Sequence, residues 1–164
     1  MVAPLSFPAI EKQIRAKSFG VLSTISPRGY SQSTGVLFGV SASDPFVLYI
    51  YSNRTYTKVQ NILHNPYVSF VIPFPHHFFR FVPANTIALQ AQAEVLTAAD
   101  AAARASFQSH RILRMVLEGE TRKDDVFLRL VPLGRLHVYG LGYSLFKLRN
   151  NHQEGSYFVN IPNH

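Results

Sequence analysis

Five side chains suited to gripping an anion crowd one short stretch, "YSNRTYTK": Ser52, Arg54, Thr55, Thr57 and Lys58. They fall where an apolar run ("FVLYIY") gives way to a short helical pattern. A helix N-terminus presents unpaired backbone N–H groups and the positive end of its dipole. Hydroxyls and fixed cations placed there suit a phosphate. An ordinary capped helix with solvated cations is the alternative. The surroundings favour the anion, because no Asp or Glu occurs between Asp44 and Glu94 while Arg54, Lys58 and Arg80 do.

A second polar cluster, "SQSTG" at residues 31–35, interrupts an otherwise apolar strand pattern. If Gln32, Ser33 and Thr34 point inward, their amide and hydroxyl groups could hydrogen-bond a heterocycle. An exposed edge strand is the other reading. His76 and His77 are adjacent, so on extended chain they face opposite ways and chelate poorly; no metal site is expected. His137 lies in an apolar strand run and reads as a core or interface histidine. No G-x-S-x-G, HExxH or cysteine nucleophile is present, and no carboxylate pair stands out for acid–base work. Redox or group-transfer chemistry here would be carried by a cofactor.

The elements that must position these groups follow from periodicity. Ile10 and Ile14 mark a helix over residues 7–17. "FGVLSTIS" is a strand, closed by a turn at residues 27–29, and residues 30–40 are its hairpin partner. Residues 46–51 form a strand apolar on both faces. Tyr56, Val59 and Leu63 give an amphipathic helix over residues 55–64, which Pro66 ends. Residues 67–72 are the next strand. The proline-rich segment 73–84 is a loop, either a lid or a dimer contact. Residues 86–96 alternate cleanly, with Ile87, Leu89, Ala91, Ala93 and Val95 on one face. An Ala-rich helical region follows from Thr97 to about Leu117. "VFLRLVP" and "GRLHVYG" read as two strands of a last hairpin, and the tail after residue 142 has little pattern. Six strands with hairpin turns predict a mainly β protein, a closed or nearly closed barrel in one domain, not a parallel sheet.

Composition agrees. The chain has 164 residues, 47% of them hydrophobic, enough for one domain with one core. There are no cysteines, which excludes disulfides and thiolate metal sites and fits a reducing compartment. The N-terminus lacks the pattern of a signal peptide, and no apolar run reaches membrane-helix length, so a cytoplasmic protein is expected. A net charge of +7 favours anionic partners. Nucleic acid is disfavoured among them, because the aromatics sit inside strand runs and the cations are scattered.

In this order the pieces resemble the pyridoxamine 5'-phosphate oxidase-like family, the FMN-binding split barrels. "FGVLSTISPRGYSQSTGVLFGV" is similar to its first hairpin. "LYIYSNRTYTKVQNILHNPYVSFVI" is similar to its strand–phosphate loop–helix–strand unit. "IALQAQAEVL" and "VFLRLVPLGRLHVYGLG" resemble the later strands, so the likeness covers residues 7–142. It implies that Lys58, with Ser52, Arg54 and Thr57, holds the FMN phosphate. It also implies that Gln32, Ser33 and Thr34 line the isoalloxazine or ribityl chain, with Tyr51 at the edge. The family is usually a homodimer with flavin at the subunit interface. "HVYG" is closer to the branch using deazaflavins than to true pyridoxamine phosphate oxidases. Ala91 stands where the family often has glycine, and no arginine-rich C-terminal substrate site is evident, Arg149 being an isolated candidate. The implied function is hydride transfer at a flavin ring to or from a small molecule; the alternative is a non-catalytic FMN, deazaflavin or haem carrier.

Overall fold

The computed structural model describes residues 4–43, 45–75, 84–119, 122–143 and 155–162. His76, His77, Arg149 and most of the segment 73–84 lie outside them.

Seven strands and four short helices make up the described chain: α1 (Phe7–Arg15), β1 (Phe19–Ile25), β2 (Ser31–Val40), β3 (Leu48–Asn53), α2 (Thr57–His64), β4 (Tyr67–Phe74), β5 (Asn85–Thr97), α3 (Ala101–Ser106), α4 (Arg111–Glu118), β6 (Asp125–Tyr139) and β7 (Ser156–Asn160). The strand order is β3-β2-β1-β4-β5-β6-β7, all antiparallel, and β6 also pairs with β3. That extra ladder, from Leu48↔Leu130 to Asn53↔Asp125, closes a six-stranded barrel. Closure leaves the core strands no free edge.

Period-two alternation fills the interior. β4 sends Val68, Phe70, Ile72 and Phe74 inward, and β5 sends Ile87, Leu89, Ala91 and Ala93. Phe38 and Phe70 meet edge to face with ring centroids 5.3 Å apart. β3 is buried on both sides, as its two apolar faces predict. Leu48 and Ile50 enter the barrel core, while Val47 and Tyr49 join an outer cluster with Ala103, Phe107, Leu113 and Phe127. The helical region after Thr97 is there to cover that outer face. Gly39 permits the contact: a Cβ on it would stand 2.7 Å from the Ser106 carbonyl oxygen.

Two expectations need correction. "VFLRLVP" and "GRLHVYG" are one strand, β6, because Gly134 adopts φ 76° and forms a bulge instead of a reversal. Between Ala91↔Pro132 and Leu89↔Leu136, β5 advances through Gln90 while β6 advances through Leu133, Gly134 and Arg135. The barrel-closing half of β6 pairs with β3, and its second half carries β7, drawn from the seemingly patternless tail. In α2 the buried face is Val59, Asn61 and Ile62, whereas Tyr56 and Leu63 are about half exposed.

Candidate functional site

The seam between β3 and α2 is shaped by Asn53. Its Oδ1 accepts from the Thr55 N–H at 3.1 Å and from Thr55 Oγ1 at 2.6 Å, an Asx turn that reverses the chain. Its Nδ2 donates to Asp125 Oδ1 at 2.9 Å, tying the turn to β6. α2 then starts at Thr57 with no side chain capping it and no acid in its first turn. Helix N-termini are ordinarily satisfied by such groups. Here Val59 N–H turns back to the Tyr56 carbonyl at 2.9 Å, and no side chain of the N-cap residue reaches the Thr57 and Lys58 amides.

Beside this helix start lies a cleft of about 630 Å³ lined by Thr24, Gln32, Ser33, Thr34, Thr55, Tyr56, Thr57 and Lys58. Lys58 Nζ sits 4.8 Å from the Tyr56 ring centroid. No carboxylate among the described residues forms an ion pair with it. Burial pulls the Lys58 amine below the usual lysine range, because the charged form loses hydration. The first residues of β2 are exposed rather than core-facing, and they form the wall opposite Lys58. Ser33 Oγ is 2.7 Å from Ser23 Oγ.

Five of the eight residues implied by the resemblance therefore meet in one cleft: Gln32, Ser33, Thr34, Thr57 and Lys58. Tyr51, Ser52 and Arg54 do not line it. Strand alternation places Ser52 with Leu48 and Ile50, facing the barrel interior, where its buried Oγ has no hydrogen-bond partner among the described residues. Tyr51 faces the other way: its ring packs on Phe127 with centroids 5.2 Å apart, and its Oη donates to Asp125 Oδ2 at 2.7 Å. Arg54 lines a neighbouring cleft with Arg122, Lys123, Asp124 and Asp125. Thr24 and Asn61 belong to the site although sequence reasoning did not single them out. Asn61 is 2% exposed and reaches both Thr24 and Gln32. A polar residue between buried Val59 and Ile62 was the available signal.

Asp125 is the electrostatic anchor of the seam. Burial alone would raise its pKa, but hydrogen bonds from Asn53, Tyr51 and the Arg122 backbone N–H hold it below the usual carboxylate range. Its contribution is therefore present above the unfolded-state value of 3.8 and is lost as pH falls through the lower folded-state value. Asp125→Asn should cost about 2 kcal/mol at pH 7. The gap from wild type should narrow as urea unfolding is repeated down to pH 2. A pH-independent gap would remove Asp125 from this role.

No metal-binding cluster of His, Cys, Asp or Glu occurs among the described residues, and none of their helices is long and apolar enough to cross a membrane. His137 is half-buried on the outer face of β6. Its Nε2 lies 2.6 Å from Ser156 Oγ and its ring 5.0 Å from that of Phe158.

A closed six-stranded antiparallel barrel with an uncapped helix start beside a polar cleft defines a split barrel. The chain belongs to the pyridoxamine 5'-phosphate oxidase family, whose model matches residues 7–136. No curated protein sequence matches it. Among solved structures it is similar to HutZ, the haem storage protein from Vibrio cholerae (TM-score 0.64, 15% identity, 83% of this chain and 96% of that one). It is similar to a haem-binding protein from Mycobacterium smegmatis (TM-score 0.65, 18% identity, 85% of this chain and 56% of that one). An F420 reductase is a further likeness (TM-score 0.53, 20% identity, 80% of this chain and 96% of that one). At these identities the likeness is one of fold.

Proposed function

We propose that the chain binds FMN in the Lys58 cleft and works as a flavin-dependent oxidoreductase on a small molecule. The observation that carries this reading is the uncapped, acid-free start of α2 beside Lys58, a cation with no carboxylate partner among the described residues, in a cleft large enough for a nucleotide-sized ligand. Lys58 and the first amides of α2 hold the phosphate. Gln32, Ser33 and Thr34 orient the ring by hydrogen bonds. Flavin supplies hydride transfer when bound, so no side-chain acid–base pair is required. A deazaflavin coenzyme, with a similar ring and a phosphate, is the second reading. Haem is a further reading; no histidine among the described residues lines the cleft.

We also place a second copy of the chain against the outer sheet face. Tyr67, Leu133 and Phe158 are each about half exposed there, along β4, β6 and β7. The absence of cysteine suits a reducing, cytoplasmic setting.

Titration of the purified protein with FMN and with riboflavin tests the reading. FMN should bind at least tenfold more tightly, since riboflavin lacks the phosphate, and light scattering should give a dimer. Equal affinity for the two ligands, or no binding of either, would overturn it.

A further inference from the structure

A buried amide behind the cleft wall has a directional consequence. Asn61 is 2% exposed on α2, and its Nδ2 faces two oxygens: Gln32 Oε1 at 2.7 Å and Thr24 Oγ1 at 3.0 Å. A primary amide nitrogen carries two protons, and both are then used. Thr24, 1% exposed, has the Gln32 carbonyl oxygen 3.5 Å away for its own hydroxyl proton. In this arrangement each of these side-chain protons has an acceptor, and Asn61 Nδ2 is the donor to both oxygens.

We infer that Asn61 fixes the polarity of Gln32, so that Gln32 meets a bound ligand as a hydrogen-bond donor. With Oε1 held by Asn61, the group Gln32 has left for the cleft is its NH₂. The ligand edge it reads must be an acceptor, such as a ring carbonyl, and not a ring N–H. Asn61 is thus a positioning residue that selects which edge of a heterocycle lies against β2. This rests on the flavin reading for the identity of the ring, but the amide polarity itself does not.

Two measurements decide it. In the free ¹⁵N-labelled protein, the Asn61 side-chain amide protons should exchange with water at least tenfold more slowly than those of Gln32. Gln32 should become protected when riboflavin is added. Protection of Gln32 and not Asn61 in the free protein would overturn the inference, whatever ligand the protein takes. The second arm reverses the polarity. In Asn61→Asp the carboxylate accepts from Thr24 and from a turned Gln32, which then shows the ligand an oxygen. Gln32→Glu shows an oxygen without touching Asn61. Both should weaken riboflavin about tenfold, the equivalent of one hydrogen bond replaced by an unmatched acceptor. Riboflavin is the probe because, lacking the phosphate, it makes no charged contact with Lys58 that the new carboxylate could perturb. Wild-type affinity in both variants would overturn the inference. Failure of the wild type to bind riboflavin or FMN would instead sink the flavin reading, and proton exchange would still decide the polarity.

Discussion

Lys58→Ala should bind FMN about 100-fold more weakly than the wild type, with riboflavin affinity changed less than about twofold. A charge-assisted hydrogen bond in a partly buried site contributes about 1.5–3 kcal/mol, which sets that scale. The loss should be confined to the phosphate because Lys58 meets no carboxylate among the described residues and its ring contact is with neighbouring Tyr56. Stability should stay within about 0.5 kcal/mol. The pH dependence has a definite sign. Burial lowers the folded-state pKa of Lys58. A phosphate dianion favours the charged amine, so binding takes up a proton wherever the free amine is neutral. Wild-type affinity for FMN should therefore fall as pH rises, starting below the usual lysine range, and the variant should lack this dependence. Parallel loss of FMN and riboflavin would show that Lys58 acts by packing and not by charge.

The largest stability effect should come from Phe127→Ala. Phe127 is fully buried on the closing strand, opposite Tyr51 of β3 and Leu96 of β5. Its ring also meets Phe107 edge to face, with centroids 5.3 Å apart. Truncating such a ring removes transfer energy and leaves a cavity, at a cost of about 3–5 kcal/mol. For a domain of this size the melting temperature should drop by on the order of 10 °C. Calorimetry checks this directly, and a drop under about 3 °C would mean the outer cluster collapses freely around the gap. Ligand affinity at low temperature should be little changed, because Phe127 does not line the cleft.

Much of this architecture was legible in the chain, for identifiable reasons. The strands of the barrel announce themselves by alternation, as in Ile87, Leu89, Ala91 and Ala93. The two-sided burial of "FVLYIY" was visible as an unbroken apolar run. That Thr57 and Lys58 stand together at a helix start was legible because Pro66 and the apolar spacing constrain where that helix lies. What failed was whatever depends on which way a side chain leaves the backbone near an element's end. Ser52, Arg54 and Tyr51 are neighbours in sequence, yet alternation along β3 sends Tyr51 and Ser52 to opposite faces, and Arg54 lines a different cleft. Pattern alone could not distinguish the Gly134 bulge from a hairpin turn, since glycine at positive φ serves both. Asn61 was hidden for a related cause: its partners, Thr24 and Gln32, are contributed by a distant hairpin.

The ladder joining β3 to β6 also bears on how the chain reaches its native state. Its partners run from Leu48↔Leu130 to Asn53↔Asp125, so its loop is far longer than those of the hairpins. Contacts of such long range form slowly, because loop-closure entropy must be overcome first. Until residues 125–130 emerge from the ribosome and dock, β3 lacks its second partner strand, and the outer cluster over Val47 and Tyr49 lacks Phe127. A nascent chain halted before β6 therefore carries an apolar strand with an open edge, the form most prone to pair with another copy. Premature termination before residue 125 should yield insoluble product.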